Sequence, residues 1–430
     1  MKLKKITDNP FLLFSPFLII LIATVLVHKT DASFGDESRY LTYAGNLLHG
    51  FYSPPPPVID LGNGPGYPIL LMPFVALRLP LISITLMNAL FYFFSIILLF
   101  KVLVKFVSFK IALIFSFFYA CYINAYENIS LILPETLAIF LICLILFFLI
   151  KAFDKVDFLK SIRYLILSGF LIGYLALTKP IFGYVFVFIL IAVGVLWIID
   201  RKAIDYKKGL VILCMALTTT APYLVYTYHL TGKIFYWSSF GGDNLYWMST
   251  PYDGEYGSWY TFNNFKVDSL LLKSKIFEGG QSYNANHIND LQEILKYKGV
   301  DLDDAYKKIA IKNIKSHPRK FIKNCISNCG RIVFNFPYSF KLQTPDTLIR
   351  LPFNGIIVVL GLFCIIPTLL NWRKIAFSIR FILLFALVYF GGSVLGSAET
   401  RMFTLIVPIL LLWIAYILNK SVRINVKFSE

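Results

Sequence analysis

The sequence predicts an all-α polytopic membrane protein, and three observations carry that prediction. Of 430 residues, 57% are hydrophobic and only 15% are charged, whereas an average soluble domain carries about 25% charged residues. The apolar residues collect in long runs of membrane-crossing length. The Lys and Arg residues lie between those runs and are shared unequally among the connections. A soluble chain of this composition would lack the polar surface to cover itself, so a cytosolic enzyme and a secreted disulfide scaffold are excluded. The net charge of +17 invites a nucleic-acid partner. Mapping the cations removes that reading, because they separate apolar spans.

Ten spans are expected, at about 11–27, 81–100, 111–126, 133–150, 164–178, 181–199, 209–227, 351–370, 381–395 and 402–418. The first follows Met-Lys-Leu-Lys-Lys but lacks a small-residue cleavage site, so it reads as a retained helix rather than a signal peptide. Several spans fall at or below the usual length of about 20 residues. With the N-terminus inside, short inner connections hold 20 Lys and Arg, and short outer ones hold 5. That asymmetry sets the orientation; the 16 cations of 228–350 do not vote, because long loops cross largely regardless of charge. The chain therefore divides into an N-terminal membrane module (1–227), an extracytoplasmic domain (228–350) that is α or α+β, and C-terminal membrane helices (351–430).

The first outer loop, 28–80, is too long for a connector. Tyr40, Tyr43, Ala44, Leu47, Leu48 and Phe51 recur at helical spacing, which predicts a short amphipathic helix on the outer membrane surface. Pro54–Pro57 and Gly62-Asn63-Gly64-Pro65-Gly66 then signal extended chain and turns. Residues 67–80 are apolar enough to dip into the membrane. In the long outer segment a helix is expected from Asp303 to about Cys329. Cys325 and Cys329 lie four apart on it, a spacing that suits a disulfide poorly. Gly241-Gly242-Asp243 reads as a turn rather than a phosphate cradle. No repeat with a period of 20–50 residues is present, and the five His residues form no metal-ligand spacing.

Ionisable groups at membrane depth are expensive and call for a partner or a function. The orientation places five such features on one side: Asp36-Glu37-Ser38-Arg39-Tyr40, Asn63 to Tyr67, Pro134-Glu135, Thr178-Lys179-Pro180 and Glu399-Thr400-Arg401. Taken singly, each has an ordinary reading: a solvated acidic pair, a snorkelling lysine, a local ion pair, a carboxylate at a helix start. Taken together they suit an enzyme. Asp36 or Glu37 would be a general base toward an acceptor hydroxyl or amine. Lys179, Arg401 and Arg39 would neutralise a leaving phosphate.

Asp36-Glu37-Ser38-Arg39-Tyr40, followed by a helix and Gly64-Pro65-Gly66-Tyr67-Pro68, resembles the first outer loop of GT-C-type integral-membrane glycosyltransferases. The protein O-mannosyltransferase group and the bacterial lipid A aminoarabinose transferases are the nearest in pattern. Gly169–Pro180, Pro222–Pro251, Ala310–Arg331 and Glu399-Thr400-Arg401 with Pro408 extend the likeness, in order, over most of the chain. The resemblance implies an inverting transferase that moves a sugar from a polyprenyl-phosphate donor to a glycan, lipid or protein acceptor. It implies Asp36 as base with Glu37 as its partner, and Lys179 as a contact to the donor phosphate. Arg39 matches the arginine of the aminoarabinose transferases' Asp-Glu-Thr-Arg-Tyr. Tyr40, Asn63, Tyr67, Glu135 and Glu399 are assigned to donor or acceptor binding. The pattern departs where those transferases carry Lys-Pro-Pro, because Asn63-Gly64-Pro65 stands here instead. No cofactor, no metal and no nucleic acid is expected. The Lys, Ile and Asn richness points to a bacterial inner (cytoplasmic) membrane, with the active site on the extracytoplasmic side. Two other classes remain open, a transporter or flippase of lipid-linked sugars and a non-catalytic assembly protein of the same fold.

Overall fold

The computed structural model describes residues 9–32, 35–154, 157–201, 203–260, 278–339 and 345–421. The basic run at the N-terminus and Lys155, Lys202, Arg423 and Lys427, all counted in the orientation argument, lie outside the described residues. The protein is helical throughout the described residues, without strands. Its helices are α1 (Pro10–Val27), α2 (Asp36–Leu48), α3 (Gly66–Ala76), α4 (Leu81–Phe106), α5 (Phe109–Ala120), α6 (Ile123–Ile129), α7 (Glu135–Asp154), α8 (Phe158–Thr178) and α9 (Ile181–Ile199). They continue with α10 (Ile204–Thr231), α11 (Gly241–Met248), α12 (Glu278–Ile294), α13 (Gly299–Ser316), α14 (Pro318–Phe334), α15 (Pro345–Leu370), α16 (Phe377–Leu395) and α17 (Thr400–Ser421).

Among the described residues, nine helices are long and apolar enough to cross a membrane, or ten if the bent pair α5–α6 counts as one. This is a multi-pass membrane protein. The third expected span is where the structure departs from a single rod: α5 and α6 meet at a 50° bend. The amide of Cys121 still closes on Phe117, but the chain turns at Tyr122, whose phenol is held by Asn354 of α15 at 2.7 Å. The apolar stretch at 67–80 forms α3, which at 11 residues is too short to span.

Helix ends follow local chemistry. Asn9 caps α1 by accepting the Phe11 N–H at 3.0 Å, and Pro10 takes the first helical position. Gly232 ends α10 in the left-handed conformation. The single helix expected over 303–329 is two helices, because Pro318 cannot continue α13 and instead opens α14. Cys325 and Cys329 on α14 are both unbridged. Gly241-Gly242-Asp243 is not a turn but the first turn of α11, where Gly242 donates its N–H to Asp303 Oδ1 at 2.6 Å.

Helix α7 is central. It packs on α4, α8, α16 and α17, and most of its side chains are buried. The end of the bundle where α7 begins also receives the last residues of α8 and the first of α17. That arrangement places Glu135, Lys179 and Arg401 side by side. At the other end, Lys105 pairs with Asp154, and Lys208 donates to the Ala152 carbonyl at 3.1 Å. Helices α11 and α13 pack on each other away from the bundle core. With α12 they carry a separate apolar cluster of Tyr246, Trp247, Leu291, Ile294, Tyr306 and Ala310.

The loop between α2 and α3 is locked onto the bundle by close backbone approach. A Cβ on Gly64 would lie 2.0 Å from the Leu177 carbonyl oxygen, and one on Gly66 would lie 2.6 Å from Thr178 Oγ1. Both positions abut the last turn of α8, directly before Lys179. Gly64→Ala is expected to lower the stability of the protein in detergent by about 1–3 kcal/mol, the range for overpacking a closed contact. Thermal unfolding of the two proteins side by side measures it.

Candidate functional site

The site is an ion-pair cluster supplied by four separate parts of the chain. Asp36 starts α2. Its Oδ1 is 3.3 Å from Arg39 Nη1, one turn along the same helix, and its Oδ2 is 3.2 Å from Arg401 Nη2 on α17. Arg401 continues the chain of charges, with Nη1 3.5 Å from Glu135 Oε1 and Nε 3.1 Å from Glu399 Oε2. Lys179 Nζ completes it at 2.6 Å from the same Glu135 oxygen. Three carboxylates thus balance two guanidinium groups and one ammonium group.

Burial is graded across the cluster. Glu135 is fully buried, Lys179 is 15% exposed, and Asp36 and Arg401 are about a third exposed, at 32% and 29%. The deepest member is therefore the carboxylate at the N-terminus of α7, where the helix dipole also favours negative charge. A buried carboxylate needs its partners, and here Lys179 and Arg401 both supply them. The shallower members can exchange partners at lower cost.

Arg39 is held from three directions. Besides Asp36, its Nη1 donates to Asn63 Oδ1 at 3.2 Å, and its guanidinium lies 4.7 Å from the ring centre of Phe240. Asn63 Nδ2 in turn donates to the Tyr40 phenol at 2.6 Å, while the Asn63 carbonyl accepts from Tyr52 at 2.8 Å. Burial first, then the charges of Glu135 and Asp36, push the Tyr40 phenol well above its ordinary range, so it stays protonated. Tyr67 supports this ring edge-on, with centroids 5.2 Å apart.

Glu37 is placed differently. Its Oε1 accepts the Ile132 N–H at 2.7 Å, and Thr30 donates to both of its oxygens at 2.9 and 3.1 Å. It fastens the start of α2 to the end of α1 and to the approach to α7. On this side lies a cavity of about 890 Å³, bordered by His28, Thr30, Tyr126, Ser130 and Leu131. Thr30 is common to the cavity wall and to the Glu37 contact.

The structure thus brings Asp36, Arg39, Tyr40, Asn63, Glu135, Lys179, Glu399 and Arg401 into one connected set. Tyr67 backs it, and Glu37 stands beside it. Three contributors escaped the sequence reading. Phe240 stacks on Arg39. Asp60 accepts from Tyr43 at 2.6 Å and steadies the loop bearing Asn63. Asp243 receives both indole N–H groups of Trp247 and Trp259, at 2.9 and 2.8 Å. Spacing carries no signal for Phe240, since its partner, Arg39, is far away in the chain. Asp243 stood out only as part of a Gly-Gly-Asp run.

No family model matches the chain, and no curated protein matches it. Among solved structures, the protein is similar to the oligosaccharyltransferase of Archaeoglobus fulgidus tethered to an acceptor peptide, with a TM-score of 0.49 at 12% identity. That match covers 94% of this chain and 49% of the other. The oligosaccharyltransferase AglB from Archaeoglobus fulgidus, in complex with an inhibitory peptide and a dolichol-phosphate, gives 0.48 at 12% identity, over 97% and 52%. ArnT from Cupriavidus metallidurans bound to undecaprenyl phosphate gives 0.43 at 12% identity, over 95% and 78%. The chain spans about half the length of the oligosaccharyltransferases.

Two predictions follow from this geometry. Glu135→Gln leaves Lys179 and Arg401 without their shared buried carboxylate, and the protein is expected to lose about 3–5 kcal/mol, read by thermal or denaturant unfolding. Burial raises Asp243 to about 6, against the lowering effect of its two indole donors. A carboxyl whose folded pKa is raised stabilises the fold when protonated, and that contribution fades as pH rises from about 4 to about 6. Tryptophan fluorescence is expected to titrate with a midpoint near 6, and Asp243→Asn is expected to remove that transition.

Proposed function

We propose that the protein is an inverting glycosyltransferase that uses a polyprenyl-phosphate sugar at the outer face of a cytoplasmic membrane. The observation that carries this reading is the joint placement of Asp36 with Arg39, Arg401 and Lys179 at one end of the bundle, the arrangement a general base and a phosphate site require. The sequence resemblance supplies the donor class. The described parts of 228–350, which supply Phe240 to the site, belong in this reading to an extracytoplasmic domain.

The donor phosphodiester occupies the Lys179–Arg401 side. Its arrival displaces the Asp36 carboxylate from Arg401 and frees that oxygen to act as base. Asp36 takes the proton of the acceptor hydroxyl or amine as the acceptor heteroatom bonds to the anomeric carbon. The bond from that carbon to the phosphate oxygen breaks, and its electron pair leaves with the phosphate. The donor carries one negative charge at the phosphate and the released lipid phosphate carries up to two. Lys179 and Arg401 therefore stabilise the leaving group more than the bound substrate, which is the condition for catalysis. Arg39, held by Phe240 and Asn63, keeps the second Asp36 oxygen in place. The acceptor approaches from the cavity on the Glu37 side, so donor and acceptor meet across the first turn of α2.

Purified protein in lipid, given a panel of undecaprenyl-phosphate sugars and candidate acceptors, should release lipid phosphate with one of them. Asp36→Asn is expected to reduce release at least a hundredfold, the low end for loss of a general base, while leaving the protein folded. Full activity in Asp36→Asn would remove the base assignment. Transport of a lipid-linked sugar without release would replace the transferase reading.

A further inference from the structure

Arg401 reaches the site from an irregular connection, residues 396–399, between α16 and α17. Helix α16 ends at Gly396 in extended conformation (φ −111°), so it lacks the left-handed cap that usually satisfies the last carbonyls. Two of those carbonyls, and that of Gly396 beyond them, are reached from α14. Asn328 Nδ2 donates to the carbonyls of Ser393, Val394 and Gly396 at 3.1, 3.0 and 2.6 Å, and its Oδ1 accepts the Ala398 N–H at 3.3 Å.

Arg331, one turn further along α14 and fully buried, acts on the same connection. Its Nε donates to the Ala398 carbonyl at 3.1 Å, and Nη2 donates to Asn328 Oδ1 at 2.7 Å. Its remaining donors reach the carbonyls of Tyr256, Gly257 and Pro337 at 3.1, 2.9 and 3.1 Å. Thr400 Oγ1 closes the set on Asn335 Oδ1 at 3.0 Å. Asn328, Arg331, Ala398 and Thr400 are all buried, where a lost partner is costly.

We propose that Asn328 and Arg331 are positioning residues that set Arg401. They hold the backbone three residues before it in one conformation and tie that backbone to the segment 256–257. This rests on the reading of Arg401 as a phosphate contact. Asn328 meets the 393–398 backbone, and Arg331 meets the Ala398 carbonyl, so their influence on Arg401 runs through that backbone. A purely structural pair would weaken the protein without regard to Arg401.

The experiment combines a double-mutant cycle with hydrogen exchange, on the full chain in lipid nanodiscs. Undecaprenyl phosphate is the probe. Asn328→Ala should weaken its binding about tenfold, the equivalent of one lost buried hydrogen-bond set. In an Arg401→Gln background, the same substitution should add less than twofold. An equal loss in both backgrounds, or none in either, overturns the proposal. Exchange at the Ala398 amide should quicken in Asn328→Ala while α17 beyond Leu405 stays protected; unchanged exchange at 396–400 overturns it as well. If Asn328→Ala does not fold, Thr400→Val, which removes the hydroxyl contacts to Asn335 Oδ1 and to the Arg331 carbonyl, takes its place in both arms. If the unaltered protein fails to bind the lipid phosphate, the reading of Arg401 as a phosphate contact falls, and the exchange arm alone decides whether α14 holds the connection.

Discussion

The arrangement at the end of the bundle where α7 begins depends on one buried carboxylate. Glu135 opens the central helix with its side chain out of reach of water, a position a charge can hold only if it is neutralised. Lys179 and Arg401 supply that charge from two other helices, so α7, α8 and α17 converge at one point. Asp36 is attached to the same point through Arg401, and Arg39 is attached through Asp36. In the proposed function a donor phosphate meets cations already gathered and oriented, and it has only to exchange with the carboxylates that held them. The partly exposed Asp36–Arg401 pair is the one where that exchange costs least.

The surroundings keep this cluster from spreading. Gly64 and Gly66 let the loop between α2 and α3 lie directly on the end of α8, so Asn63 stands at a set distance from Lys179. Ser238 and Ser239 bond the same loop at the Gly62 and Leu61 backbone. Phe240, which follows them, then covers Arg39. Helix α14 performs the corresponding service for Arg401. The long apolar helices and the segments between them therefore both contribute to one constellation, which is why no single stretch of sequence contains it.

The amphipathic spacing of Tyr40, Tyr43 and Ala44 and the basic ends of the spans were sufficient to foresee α2 and the grouping of Asp36, Glu135, Lys179 and Arg401. The reason is physical: charge in a membrane chain is rare enough that each exception is informative. Other features were not legible. The bend between α5 and α6 depends on Tyr122 meeting Asn354, 232 residues away. The division of the 303–329 helix differs in kind, because its cause, Pro318, is local. Glu37 looks like the twin of Asp36 in sequence, yet one residue along a helix is a rotation of about 100°. That rotation turns Glu37 from the cations toward the Ile132 amide and Thr30.

What the sequence by itself determined is the membrane class, the number and order of the spans within one, and which end of the bundle carries the ionisable groups. Periodicity, span length and the cost of charge in lipid are local properties, and a linear reading captures them. What only the tertiary structure decided is who pairs with whom. It set Arg401 between Asp36 and Glu135, separated Glu37 from Asp36, placed Phe240 over Arg39, and gave α14 the carbonyls at the end of α16. Pairing depends on distances between residues far apart in the chain, and those distances exist only after helices have packed.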